Sequence, residues 1–141
     1  MRRLDVTERC AAYAPSGFKE ATFDLSERSR DGEVKKQIWR IEEVLTGKEL
    51  AAEGRRMGHC VYSYAWAIER RQTSIWTMTL EDGQGTTGRW AMLTIEVRNE
   101  SRAVVQARGR FNRAATSAEH RILVRWAGQN GLSVNSGIGA R

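Results

Sequence analysis

The densest group of chemically capable side chains lies in Glu53-Gly54-Arg55-Arg56-Met57-Gly58-His59-Cys60-Val61-Tyr62-Ser63-Tyr64. It sets a carboxylate (Glu53), one of two histidines (His59), a thiol (Cys60) and a phenol (Tyr64) at the predicted junction of two short helices. An imidazole relays protons near neutral pH, and a thiol becomes nucleophilic where a cation or a helix N-terminus lowers its pKa. Cys60 falls where the second helix is predicted to begin, which favours a thiolate; the same place equally suits a small buried packing residue. A second group follows: Glu96, then Gln106, Arg108, Gly109, Arg110, Phe111, Asn112 and Arg113. Gln106 and Arg108 share a strand face by period two, and Glu96 joins that face if Val97 pairs with Ala103. Amides and guanidinium groups beside an aromatic ring suit a phosphate or a base. An edge strand with its charges in solvent would show the same pattern.

Other chemistries lack their signatures. The four soft metal ligands, Cys10, His59, Cys60 and His120, show no C-x-x-C or H-x-x-x-H spacing, so no metal site and no cofactor are expected. The glycine-rich phosphate and dinucleotide loops and the serine-hydrolase elbow do not occur.

The elements that must position these groups can be read from periodicity. Residues 1–37 form an arm with one possible strand over Phe18–Leu25, and Ser26–Glu33 is polar and loop-like. A globular domain is expected over 38–134 and a flexible tail over 135–141. Thr46-Gly-Lys-Glu49 fits a capping box and opens a helix that Gly58 ends. Val61, Tyr64, Ala65 and Ile68 give a second helical stripe. Thr73–Leu80, Trp90–Val97 and Ala103–Ala107 alternate as strands of an antiparallel meander, with Glu81–Gly88 a flexible connection. Thr116–Glu119 is another capping box, and Ile122, Leu123, Trp126 and Ala127 line a closing helix stopped at Asn130-Gly131. The expected class is α+β: a small antiparallel sheet of three to five strands packed against two or three helices.

Length and charge narrow the function. The 141 residues suffice for one domain with its own core. No apolar run is long enough to span a membrane, and the start shows no secretory pattern. With only two cysteines, a reduced, cytoplasmic setting is expected. The net charge is +6, and 19 of the 23 basic residues are Arg. Residues 1–57 carry +1 and residues 58–97 carry −1, while 98–125 hold seven Arg against two Glu. A local +5 built from arginine is the footprint of a polyanion partner, unless it is merely a solvated face.

Taken in combination, Glu53-Gly54, Met57-Gly-His59-Cys60-Val61, Tyr64, Ser74-Ile75-Trp76, Thr94-Ile95-Glu96, Gln106-Ala-Arg108-Gly109 and Asn112-Arg113 resemble the motif blocks of the PcfJ-like proteins. The resemblance spans about residues 39–132. It implies a genetic context, that of conjugative plasmids, phages and related mobile elements, rather than a reaction, and carries over no catalytic residue.

Three functions are expected in order. The first is a nucleic-acid-binding accessory domain of a mobile element, with Arg108, Arg110, Asn112, Arg113, Arg121 and Arg125 facing DNA or RNA. The second is an enzyme using Glu53, His59, Cys60, Tyr64 and Glu96 as candidate catalytic groups, with Gln106 and Asn112 around one pocket. The third is a plasmid or phage protein that inhibits a host defence by binding it. The helix after His59-Cys60 is expected to cover the apolar face made by Leu93, Ile95 and Val97. That docking brings Gln106, Arg108 and Asn112 beside the His-Cys turn, with Glu96 a less certain neighbour, and lets Arg108 lower the pKa of Cys60 or hold an anion.

Overall fold

Along the middle of the chain, large apolar side chains alternate with small polar ones, and the computed structural model turns these stretches into long strands. It describes residues 11–59, 62–83 and 88–138. The strands are β1 (Ala21–Asp24), β2 (Glu27–Arg28), β3 (Val34–Glu43), β4 (Thr73–Gly83), β5 (Gly88–Arg98), β6 (Ala103–Arg108) and β7 (Ser133–Val134). The helices are α1 (Gly47–Met57), α2 (Tyr62–Glu69) and α3 (Ser117–Gln129), with a 3-10 turn at Arg110–Asn112. The sheet runs β1-β3-β4-β5-β6-β7, and β2 also pairs with β3. All pairings are antiparallel except β6 with β7.

The α+β class is as expected, but the sheet is larger and mixed. The expectation of three to five antiparallel strands missed β3, the short β2 in the stretch read as a loop, and the parallel β7. β2 and β7 are two residues long, too short for any periodicity to show, whereas β3 is ten residues long and was read only as the opening of the globular body. The long β3 begins at Val34, and the arm before it is built into the body: Phe23 and Tyr13 are both buried.

Alternation gives the sheet two different faces. Trp39, Ile41, Trp76, Met78, Leu93, Ile95 and Val97 point to one side, where Ile122, Leu123, Trp126 and Ala127 of α3 close over them. The rings of Trp76 and Trp126 meet with centroids 4.8 Å apart. Each such fully buried side chain contributes about 1.5–3 kcal/mol. On the other side a smaller cluster joins Val44, Leu50, Ala65, Ile68 and Ile75 with Tyr13, under α1 and α2.

This corrects the expected docking. The helix following His59 does not cover Leu93, Ile95 and Val97; α3 does. Those three large side chains need a broad apolar partner, and α3 offers a tryptophan, a leucine and an isoleucine on one stripe. On α2 the described apolar positions in the core are only Ala65 and Ile68, enough to cover Ile75 on the opposite face.

The helix ends follow their caps. Thr46 Oγ1 accepts the Glu49 N–H at 3.0 Å, and Gly58 closes α1 at φ 70°. Thr116 and Glu119 form a reciprocal capping box at the start of α3.

Candidate functional site

The polar side chains of β5 and β6 lie on the face that α1 and α2 cover. In register, Thr77, Thr94 and Arg108 stand opposite one another across β4, β5 and β6, with Ile75, Glu96 and Gln106 in the next row. A β-bulge creates this arrangement. Val97 pairs with Val104, but Glu96 pairs with Gln106, which leaves Val105 as the extra residue. Without it, continued alternation from the buried Val104 would turn Gln106 and Arg108 toward the apolar core. The inserted residue re-aims both onto the face of Glu96. The sequence left the register open; Val97 pairs with Val104 rather than with Ala103, and Glu96 is the direct partner of Gln106.

From the helical side, Gly58 turns the chain back at the end of α1 through a left-handed conformation. The His59 N–H then donates to the Gly54 carbonyl at 3.0 Å, which sets the imidazole over the sheet. One turn into α2, the Tyr64 hydroxyl donates to Gln106 Oε1 at 3.2 Å. His59, Tyr64, Thr94, Glu96, Gln106, Arg108 and Asn112 together line one pocket, whose free space is about what a single water molecule needs. His59 is 6% exposed, and its Nε2 meets no hydrogen-bond partner among the described residues. Burial pushes the Glu96 carboxyl above the usual carboxylate range, against the opposing pulls of the Arg98 charge and the Thr73 hydroxyl.

Glu53 stands behind this wall rather than in it. The carboxylate is fully buried, accepting from Thr94 Oγ1 at 2.5 Å and from Arg56 at 2.6 Å. It ties α1 to β5 and holds Thr94 in place. Thr94, named from sequence only within the Thr94-Ile95-Glu96 block and not as a site residue, sits two residues from Glu96, so the period of the strand alone places it on this face.

The turn after β6 forms the outer lip. Phe111 takes φ 53°, ψ 39° and Asn112 takes φ 62°, left-handed conformations that are uncommon for a bulky side chain. Phe111 is 83% exposed, with its ring edge against Gly58: a Cβ on Gly58 would lie 2.7 Å from Phe111 Cδ1. The turn is anchored from beneath by Arg113, which donates to both Glu119 oxygens at 2.9 and 3.0 Å and to the Met92 carbonyl at 3.1 Å. Glu119 is completely buried, and its carboxylate holds the Arg113 guanidinium above the ordinary arginine value. Gly109 makes room for this pair, since a Cβ there would fall 2.3 Å from Arg113 Cζ.

The candidate residues thus sort by place. His59, Tyr64, Glu96, Gln106, Arg108 and Asn112 converge on the pocket, with exposed Arg110 beside it. Arg113 is engaged inside the fold. Arg121 and Arg125 lie on α3, on the far side of the sheet, and Arg125 packs over the Phe23 ring at 4.7 Å. Cys60 lies outside the described residues, as do Val61 and Cys10.

Among the described residues no group of three or more His, Cys, Asp or Glu side chains is placed to hold a metal ion. No described helix is long and apolar enough to cross a membrane. Compared with known families, residues 26–124 match the model described as PcfJ-like protein. No curated protein and no solved structure matches the chain.

Proposed function

The chain belongs to the PcfJ-like protein family, and from that premise we propose that it is a nucleic-acid-binding domain of a mobile genetic element, gripping a strand at the lip of the pocket. One observation carries the reading: Phe111 stands 83% exposed in a left-handed conformation, between Arg110 and Asn112 in the chain and three residues after the exposed Arg108. A bulky residue held at positive φ costs about 1–3 kcal/mol, which a fold retains only where its surroundings over-determine it. An exposed ring with flanking guanidinium and amide groups is a stacking platform for a base with phosphate contacts on either side. The net +5 of residues 98–125 supports the same partner through counterion release, although Arg113 and Arg125 are engaged within the fold.

The test is fluorescence anisotropy with single-stranded and duplex oligonucleotides over a range of salt. Affinity should fall steeply with salt, and Arg108→Ala with Arg110→Ala should flatten the single-strand log–log slope by about 0.7 per lost phosphate contact. Phe111→Ala should weaken single strands more than duplex. Salt-insensitive binding, or none to DNA or RNA of any form, overturns the reading.

A second reading, an enzyme centred on His59 with Glu53, Cys60, Tyr64, Glu96, Gln106 and Asn112, is favoured by the buried His59 Nε2, which has no hydrogen-bond partner among the described residues. The role of Cys60 in it is tested separately: iodoacetamide should alkylate the folded protein faster than a free thiol at pH 7, and Arg108→Ala should slow the reaction.

A further inference from the structure

We propose that the pocket is an acid–base site that cleaves RNA by attack of the strand's own 2′-hydroxyl on the adjacent phosphate, with His59 as the base. This rests on the strand-binding reading above and names the reaction of the pocket beside that lip.

His59 Nε2 is buried and has no hydrogen-bond partner among the described residues. A buried polar atom without a hydrogen bond costs about 1–3 kcal/mol and is rare enough in folded proteins to need an explanation. His59 lines a pocket shared with further polar groups, so a polar atom of a ligand held in that pocket is the natural partner. The free space admits about one oxygen atom, too little for a phosphate group or a base. The pocket thus takes a single oxygen, and a larger molecule can present one while staying at the mouth, where Arg108 and Asn112 are exposed. On a nucleic-acid strand the 2′-hydroxyl is the protruding oxygen that also lies next to a phosphate, and it distinguishes RNA from DNA.

The step balances without any further reagent but water. The 2′-hydroxyl donates its hydrogen bond to His59 Nε2, and the proton passes to the imidazole as O2′ bonds to phosphorus. The P–O5′ bond breaks, and the departing O5′ takes a proton from water. The products are a 2′,3′-cyclic phosphate and a 5′-hydroxyl end, and the imidazolium returns its proton to solvent. Arg108 at the mouth neutralises charge growing on the non-bridging oxygens. Glu96, lining the same pocket, balances the imidazolium and is a positioning residue. Gln106, held by the Tyr64 hydroxyl, keeps the opposite wall in place.

The experiment uses the full chain with a DNA oligonucleotide that carries one ribonucleotide, the products being read by mass spectrometry. Cleavage should occur once, 3′ to the ribose, leaving a 2′,3′-cyclic phosphate. The all-DNA strand and the same strand with a 2′-O-methyl ribose should remain intact. His59→Gln should slow cleavage about 100-fold or more while anisotropy still detects binding, and Glu96→Gln should lower kcat with KM unchanged. The 2′-O-methyl arm keeps the proposal testable even if His59→Gln fails to fold. Binding of the chimeric strand without cleavage overturns this inference and leaves the strand-binding reading standing; failure to bind any strand overturns both. Cleavage that survives 2′-O-methylation, or that leaves a 5′-phosphate, also overturns it.

Discussion

Strand β5 serves two environments with alternate residues. Leu93, Ile95 and Val97 are wholly buried against α3 in a dry cluster of tryptophan, leucine and isoleucine. Thr94 and Glu96, interleaved with them, face α1, α2 and β6 across carboxylates, an imidazole and amides. The first face is held by area removed from water, which is forgiving of detail and large in sum. The second is held by few, directional contacts and includes an imidazole nitrogen with no partner among the described residues and a carboxyl that burial keeps from ionising at its usual pH. A fold tolerates such a face only because the other supplies the stability, and a contrast of this kind is what a functional site looks like energetically.

Removing a side chain from the dry face should have the largest effect. Trp126→Ala is expected to cost about 3–5 kcal/mol, a large share of an ordinary domain's stability; urea denaturation followed by intrinsic fluorescence checks it. If the loss were below about 1 kcal/mol, α3 would not be the principal cover of the sheet.

Next comes the joint between the two faces. Arg113→Ala strips the buried Glu119 of its guanidinium partner and should cost roughly 3 kcal/mol. It should also loosen the lip, so strand affinity should fall even with Arg108, Arg110 and Phe111 intact. Gly109→Ala, which drives a methyl into the Arg113 side chain, should act in the same direction.

Smaller changes probe the polar face alone. Thr94→Val removes a hydroxyl that donates to the buried Glu53 and should cost about 1.5–3 kcal/mol. Thermal unfolding should show that loss with no change in the α3 packing reported by tryptophan fluorescence.

On the lip, Phe111→Gly relieves a left-handed side chain that is mostly in water, so stability should stay within about 1 kcal/mol of the parent. Affinity for a single strand should nonetheless fall by about 1–3 kcal/mol. A change in stability without a change in affinity would return Phe111 to a purely structural role.

The smallest effect is a pH dependence. A carboxyl whose folded-state pKa is raised binds more protons in the folded than in the unfolded chain, so it lowers stability as pH rises from the unfolded toward the folded value. For Glu96 the shift comes mainly from burial. Glu96→Gln should therefore stabilise the protein at pH 7, and the gain should shrink as the pH falls below the ordinary carboxylate range. Equal gains at pH 4 and pH 7 would show that ionisation of Glu96 costs the fold nothing.

Periodicity by itself determined much of this molecule. The N-cap at Thr46, the capping box at Thr116, the glycine stop at Gly58, the alternation along β4 and β5 and the apolar stripe of α3 are all local patterns of spacing, and each became the element it specifies, although only Thr116 forms the full reciprocal box. Residue type alone also marked out His59, Glu96, Gln106, Arg108 and Asn112 as groups with chemistry to offer. Their convergence was decided by tertiary structure, through two choices that no local pattern records. One is which helix covers which face: α2 and α3 both carry apolar stripes, and only competition for the same three side chains assigns α3 to Leu93, Ile95 and Val97. The other is the bulge at Val105, which reverses the alternation between Val104 and Gln106. A one-residue insertion in a ladder leaves no trace in composition or spacing, because it is selected by the fit of both faces at once: Val104 and Ala107 must reach the core, and only an extra residue between them lets both do so while Gln106 and Arg108 turn the other way.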